Sequence, residues 1–289
     1  MPPSDAGHLV LTFDDGYAAD HDLIRPVLAE RDARAVFAVV PSWVGKPGHL
    51  TAVELDALVD AGHEVAAHGR RHRYLQALRL GRDATSGDDD LHVAGEVHDD
   101  EDCGIVVGDR YEVTDGDHRE PVEIAAVSAT EDGGVLTLAA SLDSAFDRGE
   151  TVVRPHESVV TDEIRGVRAA FAEMGSDPSS FVLPYGAADT RAWRAVHEEY
   201  DVLANAAIRS LPNPPGTAPT NLRRYYLETT HLTRVELGEY LDAVAETGGI
   251  GVLAGHSAWQ SVTAERVGWV VGAARERGVE VTTFASLFG

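Results

Sequence analysis

Short apolar runs rich in β-forming residues alternate with stretches of helical spacing along most of this chain, and that alternation limits the fold more than any other feature. The runs are His8 to Phe13, Ala35 to Val40, Glu64 to Ala67, Phe181 to Leu183, Val202 to Ala204, Ile250 to Ala254 and Val279 to Thr283. Helices are expected between them. One is marked by Leu23, Val27 and Leu28, one by Leu55, Leu58 and Val59 sharing a face, and one by Ile164, Val167, Phe171 and Met174. Further helices are marked by Trp193 and Val196, by Leu237, Leu241 and Val244, and by Val267, Val270, Val271 and Ala274. Thr51-Ala52-Val53-Glu54 and Thr233-Arg234-Val235-Glu236 are capping boxes that open two of these helices, and Gly62 ends the first of the two. Repeated strand–helix units predict an α/β fold with a parallel sheet, open or closed into a barrel. In either form chemistry gathers at the carboxyl ends of the strands.

Residues 81–155 break the rhythm. They lack helical periodicity and carry 20 acidic against 5 basic residues, which is 15 of the whole chain's net charge of −24. Val122 to Ser128 and Val135 to Ala140 predict a hairpin around Glu131-Asp132-Gly133-Gly134, and Ile105 to Val113 and Thr151 to Val153 predict further strands. The expectation is a small all-β domain at 81–155, with Asp83 to Asp90 as its polar lead-in, inserted into an α/β domain made of 1–80 and 156–289. Its stems leave eight or nine residues after His72, which predicts a lid or substrate-positioning wall; the plain alternative is an acidic solubilising module. His92, His98 and the carboxylates of Asp99 to Asp102 could bind cations, with a solvated acidic loop as the simpler reading.

An acidic excess of this size argues against nucleic acid or anionic lipid as a partner. No apolar stretch reaches the length of a membrane span. A single cysteine, Cys103, excludes an internal disulfide framework and a thiolate zinc site. Met1-Pro2-Pro3-Ser4-Asp5 lacks the regions of a secretion signal, so the expected location is cytoplasmic. Lys46 is the one lysine against 23 arginines, and with the many carboxylates this predicts a protein solvated for high salt.

Three strands end in groups able to hold or serve a metal: Asp14-Asp15, His68 with His72, and His256. Two adjacent carboxylates repel each other, and a divalent cation relieves that repulsion; turn capping ahead of Gly16 is the alternative. Histidines four apart share one face of a helical turn, although Arg70-Arg71 between them also fits a solvent-facing pair. One carboxylate and two imidazoles form a facial set that leaves positions open for water and substrate. A second carboxylate could then accept the water's proton. Gly249-Ile250-Gly251 with Gly255 only faintly suggests a dinucleotide loop, since these glycines flank a strand instead of leading into a helix.

In their order and spacing, Thr12-Phe13-Asp14-Asp15-Gly16, Gly62-His63-Glu64-Val65-Ala66-Ala67-His68 with His72, Phe181-Val182-Leu183-Pro184-Tyr185-Gly186 and Leu253-Ala254-Gly255-His256 resemble the motifs of the polysaccharide deacetylases, carbohydrate esterase family four. The likeness covers roughly 1–80 and 156–289 and extends to Phe37 to Val40 and Trp43-Val44-Gly45. It implies a distorted (β/α) barrel that removes acetyl groups from an N-acetylated sugar or glycan with one divalent metal ion, zinc first, with cobalt, manganese or nickel as alternatives. By the same resemblance, Asp15, His68 and His72 are the metal ligands and Asp14 is the base. His256 is the acid for the leaving amine, and the Tyr185 backbone N–H is an oxyanion donor.

The chain departs from the family pattern at three places. Gly69 stands where members often carry a loop-steadying Ser or Thr. Val182 stands where many carry an arginine that orients the base, a place Arg223 or Arg224 could take from another strand. The Asp-and-Trp motif that lines the acetyl pocket is missing; Asp201 lies in its region, and Trp259 is a candidate wall or a helix-packing aromatic. These departures keep two alternatives open: a hydrolase of a non-sugar amide or ureide, and a degenerate, non-catalytic carbohydrate-binding protein. Retained Asp14 and His256 speak against the second, because binding alone needs neither base nor acid. A phosphatase built on the aspartate pair lacks the Asp-x-Asp-x-Thr nucleophile motif. A homo-oligomer is left open.

Overall fold

The computed structural model describes residues 7–99, 102–130, 132–206 and 211–289. The chain opens with β1 (His8–Phe13), α1 (Arg25–Ala29), β2 (Val36–Val39), α2 (Ala52–Asp60) and β3 (Glu64–Ala67). An all-β run follows: β4 (Leu78–Leu80), β5 (Asp90–Ala94), β6 (Arg110–Thr114), β7 (Arg119–Thr130), β8 (Gly133–Leu138) and β9 (Val152–Pro155). Then come α3 (Glu157–Ile164), α4 (Gly166–Glu173), β10 (Ser180–Val182), α5 (Thr190–Glu199), β11 (Val202–Ala206) and β12 (Leu222–Tyr226). The chain ends with α6 (Arg234–Thr247), β13 (Ile250–Gly255), α7 (Ala264–Glu276), β14 (Glu280–Thr282) and α8 (Phe284–Phe288). It divides into two compact units.

In the first unit β13, β12, β11, β10, β3, β2 and β1 form a parallel ring, closed where His8 to Phe13 pair in register with Ile250 to Gly255. β14 adds on beside β1 through His8, Leu9 and Val10. The alternation of side chains along a strand then sorts what fills the ring. Val10, Val36, Ala38, Ala66, Val182, Val202, Ala204, Leu222 and Val252 form one buried cluster, and Phe284 of α8 packs into it. Helical amphipathicity covers the outside: Leu55 and Leu58 of α2, Leu237, Leu241 and Val244 of α6, and Val267, Val270 and Val271 of α7 are buried. Both capping boxes form, at Thr51–Glu54 and Thr233–Glu236, with the threonine and glutamate each serving the other's backbone N–H.

In the second unit the order β4-β5-β8-β7-β6-β9 closes antiparallel, β4 pairing with β9 at Leu78–Val153. Closure leaves no exposed edge on which another chain could pair. Leu78, Leu80, Leu91, Val93, Tyr111, Val113, Ile124, Leu136, Leu138 and Val153 are the buried hydrophobic residues of its strands. Glu112 takes Arg154 Nε at 2.7 Å and Arg191 Nη1 at 3.3 Å, while Arg73 Nε meets Asp109 at 2.7 Å.

Several local readings need correcting. Val59 is exposed, not on the buried face of α2. The segment with Leu23, Val27 and Leu28 is a five-residue π turn, Asp20–Ile24, running into the short α1, which begins where Pro26 sets the backbone. The helix around Ile164 is two, α3 and α4, and ends at Glu173, one residue before Met174. The polar lead-in Asp83 to Asp90 runs into β5, whose buried positions, Leu91 and Val93, alternate with more exposed ones. Of the expected hairpin turn, Glu131 lies outside the described residues, as do Asp100 and Glu101. No helix among the described residues is long and apolar enough to cross a membrane.

Candidate active site

The period of two that fills the ring also sets its carboxyl-end rim. Val10, Thr12 and Asp14 alternate along one face of β1 and its continuation, as do Ala66 and His68, Leu222 and Arg224, and Val252, Ala254 and His256. The strand frame therefore brings a carboxylate, a guanidinium and two imidazoles to one end of the barrel. Asp14 continues the ladder by donating its N–H to Gly255 O at 3.0 Å.

Asp14 is 3% exposed, and Arg224 Nη1 donates to both of its oxygens at 2.8 Å and to Thr12 Oγ1 at 3.2 Å. Burial by itself would raise the Asp14 pKa. The charge of Arg224 opposes it most, His68 and His256 add to that, and the carboxyl is held below its ordinary value. Of the two arginines on β12, it is thus Arg224 that orients Asp14. Val182 contributes through its backbone: His68 Nδ1 donates to Val182 O at 2.8 Å, which leaves Nε2 as the lone-pair nitrogen, 3.4 Å from Asp15 Oδ1.

Four non-glycine residues among those described have positive φ, and three of them are Asp15 (79°), His72 (58°) and Tyr185 (57°). Such backbone is costly for residues with a Cβ and collects at functional sites. Asp15 turns out of the strand direction ahead of Gly16, also at positive φ, where a Cβ would come within 3.1 Å of Val39. Gly69 has φ 71°, a conformation that suits glycine better than the Ser or Thr of the family pattern. Asp15 and His68 are buried in the first unit, and His72 is buried in the second. His21, Asp22 and Glu54 also bring donor atoms together, but they are more exposed, and Glu54 already caps α2. His92, His98, Asp99 and Asp102 form no such group, and Asp99 instead accepts from Ala129 N.

His256 Nε2 lies 3.9 Å from Asp15 Oδ2, and its Nδ1 is 2.9 Å from Glu228 Oε1, which also accepts the His256 backbone N–H at 3.2 Å. Burial would lower the His256 pKa. The bond to fully buried Glu228 and the charges of Asp14, Asp15 and Glu228 outweigh it, so the imidazole titrates above its ordinary value. Glu228 sits two residues past β12 and belongs to no motif read from the sequence; its one signal is its place just beyond Arg224. Asp201, which lies in the region of the missing acetyl-pocket motif, is exposed. Trp259 is not packed within a helix: its ring stacks on His256 at 3.8 Å with 45% of the residue exposed.

Tyr185 follows β10 in a tight turn, Pro184–Gly186, in which Gly186 N donates to Leu183 O at 3.0 Å. Asp20 is a further carboxylate near this end, wholly buried in the π turn. Burial pushes its pKa well up, Asp15 and Asp14 reinforce that, and Ser257 opposes it. The glycines around β13 are packing residues: a Cβ on Gly251 would meet Val244 at 2.9 Å and Tyr240 at 3.1 Å.

Residues 2–88, which contain the aspartate pair and both histidines, match the family model for polysaccharide deacetylase. Over that stretch, 87 of the 289 residues, the chain is similar to the polysaccharide deacetylases. No match is found among curated proteins. Among solved structures, a carbohydrate esterase family 4 pseudoenzyme from Bacillus anthracis is 12% identical, with 98% of this chain and 66% of that one covered at a TM-score of 0.50. A deacetylase solved with substrate is 16% identical, with coverage of 98% and 91% and a TM-score of 0.49. The family 4 carbohydrate esterase from Streptomyces lividans, in complex with acetate, is 13% identical, with coverage of 94% and 90% and a TM-score of 0.48. At 12% identity and a TM-score of 0.50, the likeness to the pseudoenzyme is one of fold alone.

Proposed function

We propose that the protein is a metal-dependent hydrolase that removes acetyl groups from an N-acetylated sugar or glycan, with residues 81–155 an acidic insertion in its deacetylase-type barrel. The observation that carries this is a base and an acid at one barrel rim, each with its own buried counter-charge. Arg224 favours the ionised form of Asp14, and Glu228 favours the protonated form of His256. A protein that only bound sugar would gain nothing from biasing two groups toward opposite protonation states.

A divalent ion fits the donor set. Two imidazoles and a carboxylate suit zinc, and the Val182 carbonyl fixes the tautomer that leaves His68 Nε2 able to ligate. Asp15, His68 and His72 would hold the ion, which when bound polarises the acetyl carbonyl and acidifies water. The remaining steps belong to the chain. Asp14 takes the proton of the attacking water. The Tyr185 N–H donates to the oxygen that gains charge as the carbonyl becomes tetrahedral. His256 passes a proton to the amine nitrogen as the C–N bond breaks, and acetate and free amine leave.

The test is acetate release from a panel of N-acetylated sugars in high salt, the condition its acidic excess suggests. Zinc, cobalt or manganese is added to metal-stripped protein, with Asp14→Asn and Asp15→Ala as controls. Release that depends on metal and is lost in both variants supports the assignment. Metal binding without acetate release from any N-acetyl sugar overturns it in favour of the ureide or binding-protein alternatives.

A further inference from the structure

His72 sits in a loop that is tied on both sides of it. Its backbone is left-handed, and its carbonyl accepts Gly104 N at 2.9 Å, where the chain forms a parallel bridge between Arg73 and Gly104. The amides on either side of it both go to a single atom. Glu163 Oε2, on α3, accepts Arg71 N at 3.1 Å and Arg73 N at 3.2 Å. The other oxygen of Glu163 lies 3.5 Å from Arg71 Nε, and the whole residue is 0% exposed. With the amide before, the amide after and its own carbonyl tied, His72 keeps little freedom beyond its side-chain torsions.

An ionisable group at zero exposure in a helix is expensive, and a well-packed apolar residue there would serve stability at least as well. What an apolar residue could not do is accept two amides that diverge around one left-handed residue. The loop also begins at Gly69, so the hydroxyl that resemblance to the family would place there is absent. We infer that Glu163 is a positioning residue for metal binding: a buried carboxylate, brought in from 90 residues downstream, that sets the imidazole of His72 by clamping the amides on both sides of it. This rests on the reading of His72 as a metal ligand.

The experiment is cobalt(II) titration of the metal-stripped full chain, followed by visible absorption and by competition with a chelator. The variants are His72→Ala, Glu163→Ala, Glu163→Asp, Glu163→Gln and Asp162→Asn. Partners of this kind typically contribute 10–100-fold to metal affinity. Glu163→Ala is expected to weaken cobalt binding by about that factor and to move the absorption spectrum toward that of His72→Ala. Glu163→Asp, whose shorter arm cannot reach both amides, should fall between, and Glu163→Gln, with one oxygen still able to accept both, should stay closest to the parent. Asp162→Asn should bind like the parent, because Asp162 pairs with the side chains of Arg70 and Arg71 and not with the amides beside His72. Far-UV circular dichroism identifies the folded variants, and Glu163→Asp carries the test if Glu163→Ala does not fold. If His72→Ala loses affinity while every folded Glu163 variant binds as the parent does, the clamp is wrong and the ligand reading stands. If His72→Ala itself binds normally, the ligand reading fails and the clamp with it.

Discussion

Replacing Arg224 with methionine takes away the guanidinium that donates to both Asp14 oxygens at 2.8 Å and leaves the carboxylate buried at 3% exposure. Opposite charges about 4 Å apart interact by about 4 kcal/mol at an effective dielectric of about 20. Removing one partner of a buried pair costs about 3–5 kcal/mol in measured cases, so the two routes agree. With Arg224 gone, burial becomes the dominant influence on Asp14, and its pKa moves from below to above the ordinary carboxylate value. The pH dependence follows. A depressed carboxyl contributes stability above its unfolded pKa of about 3.9, and that contribution is lost as pH falls through the lower folded value. The deficit of Arg224→Met should therefore be full at pH 7 and shrink in acid. Urea unfolding of the metal-stripped parent, Arg224→Met and Arg224→Met/Asp14→Asn measures it. The single variant should lose about 3–5 kcal/mol, and the double should recover much of this because no charge remains stranded. In turnover, the basic group's limb of the kcat/KM profile should move to higher pH. A single variant within about 0.5 kcal/mol of the parent at pH 7, or a double variant with no recovery, would refute the reasoning.

Glu228→Gln should lower the His256 pKa, read from the imidazole Cε1 proton by NMR on metal-stripped protein; an unchanged titration would show that Glu228 does not set it. Because the folded pKa is raised, the stability His256 gains from Glu228 is complete below about pH 6.5 and is lost as pH rises through the folded value, so the variant should be weakened more at pH 6 than at pH 9. Asp20→Asn should stabilise the protein at pH 7 by about 1 kcal/mol or more, since burial makes ionisation costly in the folded state. That gain should vanish below about pH 3.9, and urea midpoints at the two pH values check it. Thr233→Ala removes the hydroxyl that caps α6 through Glu236 N at 3.2 Å and should cost about 1 kcal/mol in the same assay.

The parts of the site that could be read from the sequence are those carried by strand period. Asp14, His68 and His256 each stand at the end of an apolar run whose alternate residues fill the barrel, so run and polar terminus were visible together. β12 is not legible as a strand because Arg223 and Arg224 interrupt its apolar residues; in the fold Arg224 faces inward because Asp14 meets its charge. Glu163 has no sequence signal of its role, and Glu228 has only its place just beyond Arg224. A single glutamate beyond a strand or within a helix looks like solvent-facing polarity, and only the tertiary fold reveals the imidazole or amides it serves. The strands of the antiparallel barrel were partly hidden by its acidity: Asp88 to Asp90 read as lead-in, although Leu91 and Val93 bury one face of β5.

The ring closes by pairing β1 with β13, and Asp14 and Arg224 stand 210 positions apart along the chain. During synthesis Asp14 is therefore made long before Arg224, the cation that lowers its pKa, and His256 later still. Loop closure on that scale is the slow event in assembling such a barrel. Until it happens, the first third of the chain holds a pair of aspartates without the counter-charge that distinguishes them. The proposed hydrolysis thus requires the closed ring, and the return of acetate release on refolding would time the moment at which β1 and β13 meet.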